Sequence, residues 1–380
     1  MEHLTEYRLE ELLEYEQPTA YIVSSTDYSD NYKTPVLTAG KSFILGYTNE
    51  TAGIFDRLPV IIFDDFTTAI QYVSFPFKVK SSAMKILHIN KNLVHPKYIF
   101  YRMQVIQFDH STHKRYWIQQ YSKIKVKIPP LPEQERIVAR IEELFSELDK
   151  AVETLNTTKQ QLAVYRQAVI STSFPELTSS NSVRLDEIAE ISGGITKGRD
   201  LSQQKTITLP YLRVANVQNG YLDLSQMKDI EVKLNEVDKY LLQEGDVLYT
   251  EGGDRDKLGR GTVWKNEIPR CVHQNHVFKA RLNQERALPQ YVAYWSMSVY
   301  ARDYFFKKGK QSVNLASINK TVLSALILPI PSLEKQASII NNIESRLSVC
   351  DQIEKTIEQS LQQAEALRQS ILKQAFEGRL

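Results

Sequence analysis

The sequence predicts an α+β protein that is a tandem pseudo-repeat, with two α/β domains separated by two long antiparallel helices that pair as a coiled-coil spacer. Three observations predict this fold. The chain matches itself at a constant offset, each matching segment carries an apolar seam with helical spacing, and prolines precede both segments. Internal repeats constrain an architecture more strongly than any single predicted element does.

Length and composition limit the classes of protein to consider. A chain of 380 residues predicts two or three domains at about 150 residues each. Lys and Arg total 47 against 45 Asp and Glu, a net charge of +2, which excludes a uniformly basic coat but permits local patches that bind nucleic acid. Two cysteines argue against a disulfide framework. With an acidic start and no apolar run of about 18 residues, we expect a cytoplasmic protein.

The two matching segments predict the long helices. They begin at Ile128 and Ile330, an offset of 202 residues, and stay in register without a gap to Phe174 and Phe376. Apolar residues recur in both at spacings of three and four, which is the pattern of a heptad seam. Such a seam can also form a homodimer, but two copies in one chain favour pairing with each other. The residues expected to define these helices are Gln134, Ile137, Ile141, Leu148, Leu155 and Leu162 in the first and Gln336, Ile339, Ile343, Ile353, Ile357 and Leu367 in the second.

The segments that precede the two helices also resemble each other, although more faintly. Corresponding pairs are 34–37 with 209–212, 60–65 with 247–251, and 96–101 with 289–294. The dipeptide Asn219-Gly220 predicts a hairpin turn, and residues 291–306 are expected to be helical. The predicted boundaries are 1–128 for the first domain, 129–175 for the central helix, 176–329 for the second domain and 330–380 for the C-terminal helix.

The chain lacks the motifs of a self-contained enzyme, so we predict no catalytic residues. The loop from Gly252 to Gly261 is rich in glycine but has neither the spacing nor the Lys-Ser/Thr end of a phosphate-binding loop. No G-x-S-x-G nucleophile elbow is present. Asp64 and Asp65 with Lys78 and Lys80 have the composition of a nuclease centre, but their spacing is generic.

A metal site is the other chemical alternative. Cys271, His273 and His276 could supply three ligands, but a structural zinc site needs a fourth, and Cys350 belongs to a helix seam. Polar groups that point into a groove are the commoner explanation of this spacing. We therefore predict no metal site.

Several loops combine glycine with Arg, Lys and amide side chains, the groups that bind DNA phosphates and base edges. One such loop is weak evidence, because most polar loops are merely solvated. Two sets on two repeated domains, held apart by a helical spacer, favour DNA reading. The residues predicted to contact DNA are Asn31, Lys33, Thr34, Lys80, Ser81, Arg115 and Tyr116 in the first domain and Lys197, Arg199, Asn216, Gly253, Asp254, Arg255, Lys257, Arg260, Gln274, Asn275, His276, Lys310 and Gln311 in the second.

Specific motifs give the sequence a family resemblance. The segment IPPLPEQERIVARIEELFSELD and its C-terminal copy, together with GDVLYTEGGDRDKLGRG, HQNHVFKARL and GKQSVNLASIN, resemble the specificity subunit of type I restriction-modification systems. The resemblance covers essentially the whole chain and is most specific in the helices and the second half. In the first domain, TPVLTAGKSFILGYTNETAGIF resembles a shorter class of recognition domain.

The resemblance implies a division of labour. Each globular part would be a target recognition domain that reads one half of a bipartite, asymmetric site in double-stranded DNA. The helices would set the spacing between half-sites and dock one methyltransferase (modification) subunit per repeat. The chain itself would bind no cofactor. Its partners would methylate N6 of adenine with S-adenosylmethionine, while restriction subunits would use ATP and Mg to translocate and cleave DNA.

Three alternatives remain open from the sequence. The chain could serve a fused nuclease-methyltransferase instead of separate modification and restriction subunits. It could be a coiled-coil scaffold that does not read DNA, or a DNA enzyme complete in itself. Methyl transfer or cleavage by the purified chain alone would favour the last of these.

Overall fold

The computed structural model describes residues 4–38, 42–108, 116–253, 258–311 and 316–380. Its contacts divide the chain into two compact units. Unit 1 comprises residues 1–155 and 358–380, and unit 2 comprises residues 156–357. Each unit thus contains one predicted globular domain together with part of both long helices.

Unit 1 contains three sheets in its described residues. Its elements are β1 (Thr5–Arg8), α1 (Leu9–Leu12), β2 (Leu13–Glu16), β3 (Thr34–Leu37), β4 (Ile44–Thr48), β5 (Val60–Asp64), β6 (Ile70–Val73), β7 (Lys78–Val79), β8 (Met84–Ile89), α2 (Pro96–Gln104), α3 (Tyr116–Gln119) and β9 (Lys125–Ile128), followed by the long helix α4 (Leu131–Thr172). The strand orders are β1-β9, β2-β8-β5-β6 and β4-β3-β7. All pairs are antiparallel except β3 with β7.

The central strand β5 shows how the sequence places the core of unit 1. Side chains alternate between the two faces of a strand, and β5 is apolar on both. Ile61 and Phe63 belong to the core that includes α2 and the start of α4, whereas Val60 and Ile62 belong to the core beneath the three-stranded sheet. A continuous apolar run is therefore required here, because both faces of the strand are covered.

Unit 2 repeats this architecture with additions. Its elements are β10 (Ser182–Arg184), β11 (Ala189–Ser192), β12 (Thr206–Leu212), β13 (Lys228–Lys233), α5 (Val237–Tyr240), β14 (Val247–Thr250), β15 (Gly252–Gly253), β16 (Gly261–Val263), β17 (Val272–His273), β18 (Val277–Leu282), α6 (Pro289–Met297), α7 (Val299–Lys308), β19 (Lys310–Gln311), β20 (Ala316–Ser317), α8 (Lys320–Ser324) and β21 (Ile327–Pro329), followed by the long helix α9 (Leu333–Phe376). The strand orders are β10-β21, β11-β18-β14-β16, β13-β12-β17 and β15-β20-β19.

The first three sheets of unit 2 correspond strand for strand to those of unit 1, including the single parallel pair, β12 with β17. The three faint sequence matches fall on equivalent elements: β3 with the end of β12, β5 with β14, and α2 with α6. The predicted pseudo-repeat is therefore confirmed. The Asn219-Gly220 turn forms, with the Gln218 N–H donating to the Tyr221 carbonyl at 3.0 Å, but one isolated bridge replaces the predicted strands.

Within each unit, α4 and α9 pack against each other and run antiparallel, as predicted. In unit 2, Lys159 lies 3.9 Å from Glu354 and Arg166 lies 2.7 Å from Asp351, while Ile170 shares a core with Ile343. The pairing thus moves forward along α4 and backward along α9. In unit 1, Ile141 and Phe145 share a core with Ile371 and Ala375, and the Arg368 guanidinium lies 4.4 Å from the centre of the Phe145 ring.

Two predicted seam residues are wrong. Ile353 is 40% exposed and Leu367 is 50% exposed, so neither is buried between the helices. The next residue along each helix, Glu354 or Arg368, is more buried and bonds to the facing helix: Glu354 accepts from Arg166 at 3.0 Å, and Arg368 donates to Asp149. The seam therefore passes through charged residues at these turns. Apolar spacing alone selects the neighbouring aliphatic residue instead.

Two equivalent glutamines connect the long helices to the globular parts. The fully buried Gln134 donates to the Pro129 and Leu93 carbonyls at 2.8 and 3.2 Å and accepts the His95 N–H at 2.7 Å. Gln336 forms the same set with Pro331, Arg286 and Leu288 at 2.8, 3.0 and 2.9 Å. Each glutamine satisfies backbone groups before α2 or α6, so the helix start and the globular part are held together in the same way in both units.

No helix among the residues that the structure describes is long and apolar enough to cross a membrane.

Candidate nucleic-acid interface

Some of the predicted DNA-contact residues of each domain lie in a turn that is equivalent in the two units. The turn follows β7 in unit 1, where the Lys80 N–H donates to the Leu37 carbonyl at 3.1 Å. It follows β17 in unit 2, where the Gln274 N–H donates to the Leu212 carbonyl at 2.9 Å. Lys80 and Ser81 are exposed, as is His276, and Gln274 and Asn275 are half-buried. The same place in the fold thus presents different polar side chains in the two units.

A second group of predicted residues precedes the central strand of the three-stranded sheet. In unit 1, Asn31 and Lys33 are exposed, and Thr34 is the half-buried first residue of β3. Because β7 runs parallel to β3 and Val79 pairs with Leu37, Lys80 lies at the opposite end of β3 from Thr34. The structure therefore does not bring these two groups of unit 1 to the same edge.

In unit 2 the corresponding segment carries Lys197 and Arg199. Lys197 is exposed and follows Ile195, whose carbonyl accepts the Asn275 N–H at 2.9 Å. Arg199 is engaged within the protein: it lies 2.7 Å from Glu236 and its guanidinium lies 5.9 Å from the centre of the Tyr240 ring. The hydrogen bond from Arg199 lowers the pKa of the Glu236 carboxyl below its usual range. Lys197 is therefore the freer cation of the two.

The end of β14 gathers several of the described candidates of unit 2. β15 pairs with β20 and β20 pairs with β19, which places Gly253, Lys310 and Gln311 on one small sheet. His276 Nδ1 lies 2.5 Å from Glu251 Oε2, and Glu251 immediately precedes β15. The glycines let another molecule approach the backbone closely. This edge is therefore a compact polar surface.

Arg260 belongs to the same end of the four-stranded sheet. Its carbonyl accepts the Thr250 N–H at 3.2 Å, and Thr250 is the last residue of β14. Its guanidinium donates to Gln218 Oε1 at 3.0 Å, next to the Asn219-Gly220 turn. The residue is half-buried, so the turn and the arginine form one side of the polar edge.

Two predicted contacts are wrong because the side chains are buried. Asn216 is 2% exposed; it accepts the Arg213 N–H at 3.0 Å and donates to the Asp223 carbonyl at 2.8 Å, which stabilises the turn. Tyr116 is 1% exposed and packs on Phe108, with ring centres 5.0 Å apart. Neither can reach a base or a phosphate in this conformation. The predictions for Arg115, Asp254, Arg255 and Lys257 lie outside the described residues.

The acidic and basic residues considered for a nuclease centre are separated. Lys78 is buried, donates to the Ala52 carbonyl at 2.7 Å and lies 3.1 Å from Glu50. Asp65 is buried at the end of β5, 3.5 Å from Lys85, and accepts the Trp117 N–H at 2.8 Å. Each ion pair joins a strand lysine to a carboxylate outside the strands, and Lys78 and Asp65 lie at different sheets.

The metal alternative also finds no support from the described residues, since no three His, Cys, Asp or Glu among them are placed to hold an ion. Cys271 and His273 are buried, and His273 Nδ1 bonds to the Val277 carbonyl at 2.6 Å. Burial lowers the pKa of His273 to about 4. His276 is held by Glu251 instead.

Sequence reasoning missed Glu251, which holds His276, because a lone glutamate after a strand has no motif. It also missed the polar pairing of Arg166 with Asp351 and of Arg368 with Asp149. A signal for these pairs existed, since both arginines and both aspartates are identical at the 202-residue offset.

Comparisons with known proteins agree with this architecture. The family description "Type I restriction modification DNA specificity domain" matches residues 1–162 and 179–363. The chain is 33% identical over 352 residues to the type I restriction enzyme EcoR124I/EcoR124II specificity subunit of Escherichia coli, covering 88% of this chain and 85% of that one. It is 25% identical over 275 residues to the EcoKI specificity subunit of E. coli K12, covering 68% of this chain and 58% of that one.

Solved structures share the fold. One, from work on the complex assembly and conformational transition of the type I R-M system, superposes with a TM-score of 0.71 at 17% identity and covers 100% of this chain and 99% of its own. The HsdS subunit from Thermoanaerobacter tengcongensis superposes with a TM-score of 0.55, also at 17% identity, covering 100% and 98%. Because the family description matches both halves and a relative above 30% identity spans most of both chains, the chain belongs to the family of type I restriction-modification specificity subunits.

Proposed function

We propose that this specificity subunit reads a bipartite, asymmetric site in double-stranded DNA, one half-site per unit. The observation that carries the proposal is the repeated topology, which puts polar turns at the same position of both units. Equivalent scaffolds with different side chains are suited to reading two different sequences. Lys80 and Ser81 in unit 1 stand where Gln274 and Asn275 stand in unit 2. Amides can read adenine, whereas lysine prefers guanine or phosphate.

The long helices would set the spacing between the half-sites. α4 has 42 residues and contributes to both units, and α9 has 44 and does the same. A continuous helix is stiff over this length, and it advances about 1.5 Å per residue. The number of base pairs between the half-sites would therefore depend on helix length and not on the recognition loops.

Catalysis would reside in the partners of this non-catalytic chain. Two methyltransferase subunits, one per repeat, would transfer a methyl group from S-adenosylmethionine to N6 of an adenine taken out of the stack. Restriction subunits would supply ATP- and Mg-dependent translocation and cleavage. The relatives named as specificity subunits of type I restriction enzymes support this arrangement.

A methylome comparison tests the proposal. Long-read sequencing of the source organism, with and without this gene, should show N6-methyladenine at one split, asymmetric motif that disappears on deletion. A complementing copy should restore the same motif. A methylated motif that is continuous, or that survives deletion of a gene shown to be expressed, would contradict the proposal.

A further inference from the structure

A small cavity of unit 2 lies between the end of the glycine-rich loop, the Asn219-Gly220 turn and the helices α6 and α7. Its volume is about 90 Å³, which leaves room for one small polyatomic anion but not for a nucleotide. Two arginines line it, and among the residues that the structure describes no carboxylate does. The lining residues are Asn219, Leu258, Gly259, Arg260, Ser296 and Arg302.

Both arginines are held by neutral amides instead of carboxylates. Arg260 donates to Gln218 Oε1 at 3.0 Å. Arg302 donates to Gln167 Oε1, also at 3.0 Å. Within the described part of the chain neither arginine forms an ion pair, so two positive charges at the cavity have no neutralising partner.

The two glutamines are oriented by bonds of their own. The side-chain N–H of Gln218 donates to the Ala215 carbonyl at 2.9 Å, and that of Gln167 donates to the Met297 carbonyl at 3.0 Å. Because the amide nitrogens are turned to these carbonyls, the Oε1 atoms are turned to the arginines. A glutamate would position an arginine and also neutralise it, whereas a glutamine positions it and leaves its charge available to a ligand.

Backbone packing fixes the two arginines relative to each other. Gly259 is in the left-handed region, with a φ of +64°, and an added Cβ would lie 2.3 Å from the Phe305 ring of α7. The end of the loop therefore packs directly on the helix that carries Arg302. The Gly220 N–H donates to the Gly261 carbonyl at 3.1 Å, which joins the neighbouring turn to the same loop end. Since the site is ordered before a ligand arrives, binding would cost little ordering.

The position of the cavity favours a DNA phosphate as the anion. α7 leads from Arg302 to Lys308, and the chain then enters the small sheet at Lys310. The rise from Arg302 to Lys308 is about 9 Å, less than the roughly 12 Å width of the major groove. A duplex whose groove received the polar edge at the end of β14 would present a backbone phosphate near the cavity. Guanidinium groups bind phosphate oxygens through paired N–H donors, which suits two arginines on one group.

Among its described residues, unit 1 does not offer this pair of cations. Ala69 stands where Arg260 stands in unit 2. The Ala69 carbonyl accepts the Asp64 N–H at 2.8 Å. The Arg260 carbonyl accepts the N–H of Thr250, the residue equivalent to Asp64, at 3.2 Å. The described part of unit 1 also has no counterpart of α7. The cavity thus belongs to one half of the pseudo-repeat and not to the shared scaffold.

We propose that Arg260 and Arg302 grip one backbone phosphate of the DNA bound by unit 2, so that Arg302 positions the duplex without reading a base. The inference rests on the proposed function, which supplies the duplex, and it adds a binding site that includes Arg302, a residue that loop composition did not indicate. Because every nucleotide carries the same phosphate, the site would strengthen binding equally at all sequences.

Replacing Arg302 tests this proposal in the complex of the full-length chain with its modification subunits. Binding of a duplex that carries the methylated motif is measured by fluorescence anisotropy between about 50 and 200 mM NaCl. Arg302→Gln should bind about tenfold more weakly at the low-salt end, and the slope of log K against log[salt] should fall in magnitude by about 1. Arg302→Lys keeps the charge and should retain most of the slope. Lys228→Gln, at an exposed position of β13, removes the same charge outside the cavity and should match the wild type.

Duplexes with a single uncharged methylphosphonate linkage then locate the contact. One such linkage, in one half-site only, should weaken the wild-type complex and leave the Arg302→Gln complex unaffected. A folded Arg302→Gln complex with the wild-type salt slope would overturn the proposal. Loss of modification subunits from this variant, counted by native mass spectrometry, would assign the cavity to a carboxylate of a protein partner and overturn it as well. A wild-type complex that binds the motif no better than unrelated DNA would instead contradict the proposed function itself.

Discussion

Units 1 and 2 have the same strand order in three sheets but differ at the edge that carries their polar loops. Among the described residues, α7 and the small sheet β15-β20-β19 occur in unit 2 alone, and the β14 end of that unit holds the His276–Glu251 pair. In unit 1 the equivalent carboxylate has a different role. Asp64 accepts the Phe66 and Thr67 N–H groups at 2.9 and 2.8 Å, which closes a turn. The fold is constant where the units meet the helices, and it varies where they would meet DNA.

The constant part is visible in side chains as well as in topology. Gln134 and Gln336 make the same three hydrogen bonds, and the two Arg–Asp pairs repeat across the helices. A specificity subunit that came to read a different DNA sequence would still have to assemble with the same partners. Confining variation to one edge of each unit allows that.

The largest expected effect comes from removing the glutamine hydrogen bonds that the two units share. Replacing Gln134 or Gln336 by Leu leaves a buried N–H and two carbonyls without partners, which should lower the free energy of unfolding by about 3 kcal/mol. The loss should be the same in both units, because the bonds are the same. Denaturant unfolding of each variant measures it.

Gln161→Leu, at an exposed position of α4, is the matched control and should change stability by less than about 0.5 kcal/mol. A large loss of unfolding free energy for one glutamine variant and none for the other would show that Gln134 and Gln336 are not equivalent.

A smaller effect should distinguish the two units by the pH dependence of their stability. His273 lies in β17 of unit 2, where unit 1 has Val79 in β7. Burial lowers the pKa of His273 from 6.5 to about 4, so the unfolded chain binds the proton more tightly. Stability from the neutral ring is complete above about pH 6.5 and is lost as the pH falls toward 4.

Between pH 7 and pH 5 the loss should amount to about 2 kcal/mol, and hydrogen exchange should locate it in unit 2. His273→Val, which copies unit 1, should remove most of that loss. Equal acid sensitivity in the variant and the wild type would assign the loss to other groups.

The smallest effect concerns the β14 end of unit 2, where His276 pairs with Glu251. In the assembled complex, His276→Ala should lower methylation of the cognate site about tenfold, which corresponds to about 1.4 kcal/mol, and relax one position of one half-site. Glu251→Gln should do the same more weakly, because it keeps the shape but weakens the bond that orients the ring. Sequencing of methylated sites from a randomised DNA library measures both.

Glu231→Gln, at an exposed position of strand β13, is the control for Glu251. A uniform loss over all sequences would instead mean a phosphate contact, and changes in both half-sites would contradict separate reading by the two units.

How far the sequence predicted this structure depends on the kind of signal. The helices and the pseudo-repeat were predictable, since a gap-free match over two segments leaves few alternatives. The positions of Ile353 and Leu367 were not, because Glu354 and Arg368 occupy the seam and their pairing with the facing helix cannot be deduced from apolar spacing. Asn216 was misassigned because an amide that stabilises a turn and an amide that reads a base look the same in sequence.

The candidate interface was predictable only in part. Loop composition located the turn after β17 and the end of β14, but Lys80 and Thr34 fell at opposite ends of one strand. The two ion pairs between the long helices carried a usable signal, because Arg166 and Asp149 are identical to Arg368 and Asp351 at the 202-residue offset.

The most direct test of the account lengthens both helices together. Seven residues that continue the heptad pattern are inserted after Leu155 in α4 and after Ile357 in α9, the equivalent positions where the units divide. The control inserts seven residues into the linker at 176–181 instead. The methylated motif of each assembled complex is then determined on a randomised DNA library.

The insertion adds about 10 Å to each helix, the rise of about three base pairs. The account predicts that both half-sites stay intact, that the spacer between them grows by up to about three base pairs, and that the control retains the wild-type motif. An altered half-site with an unchanged spacer would contradict it.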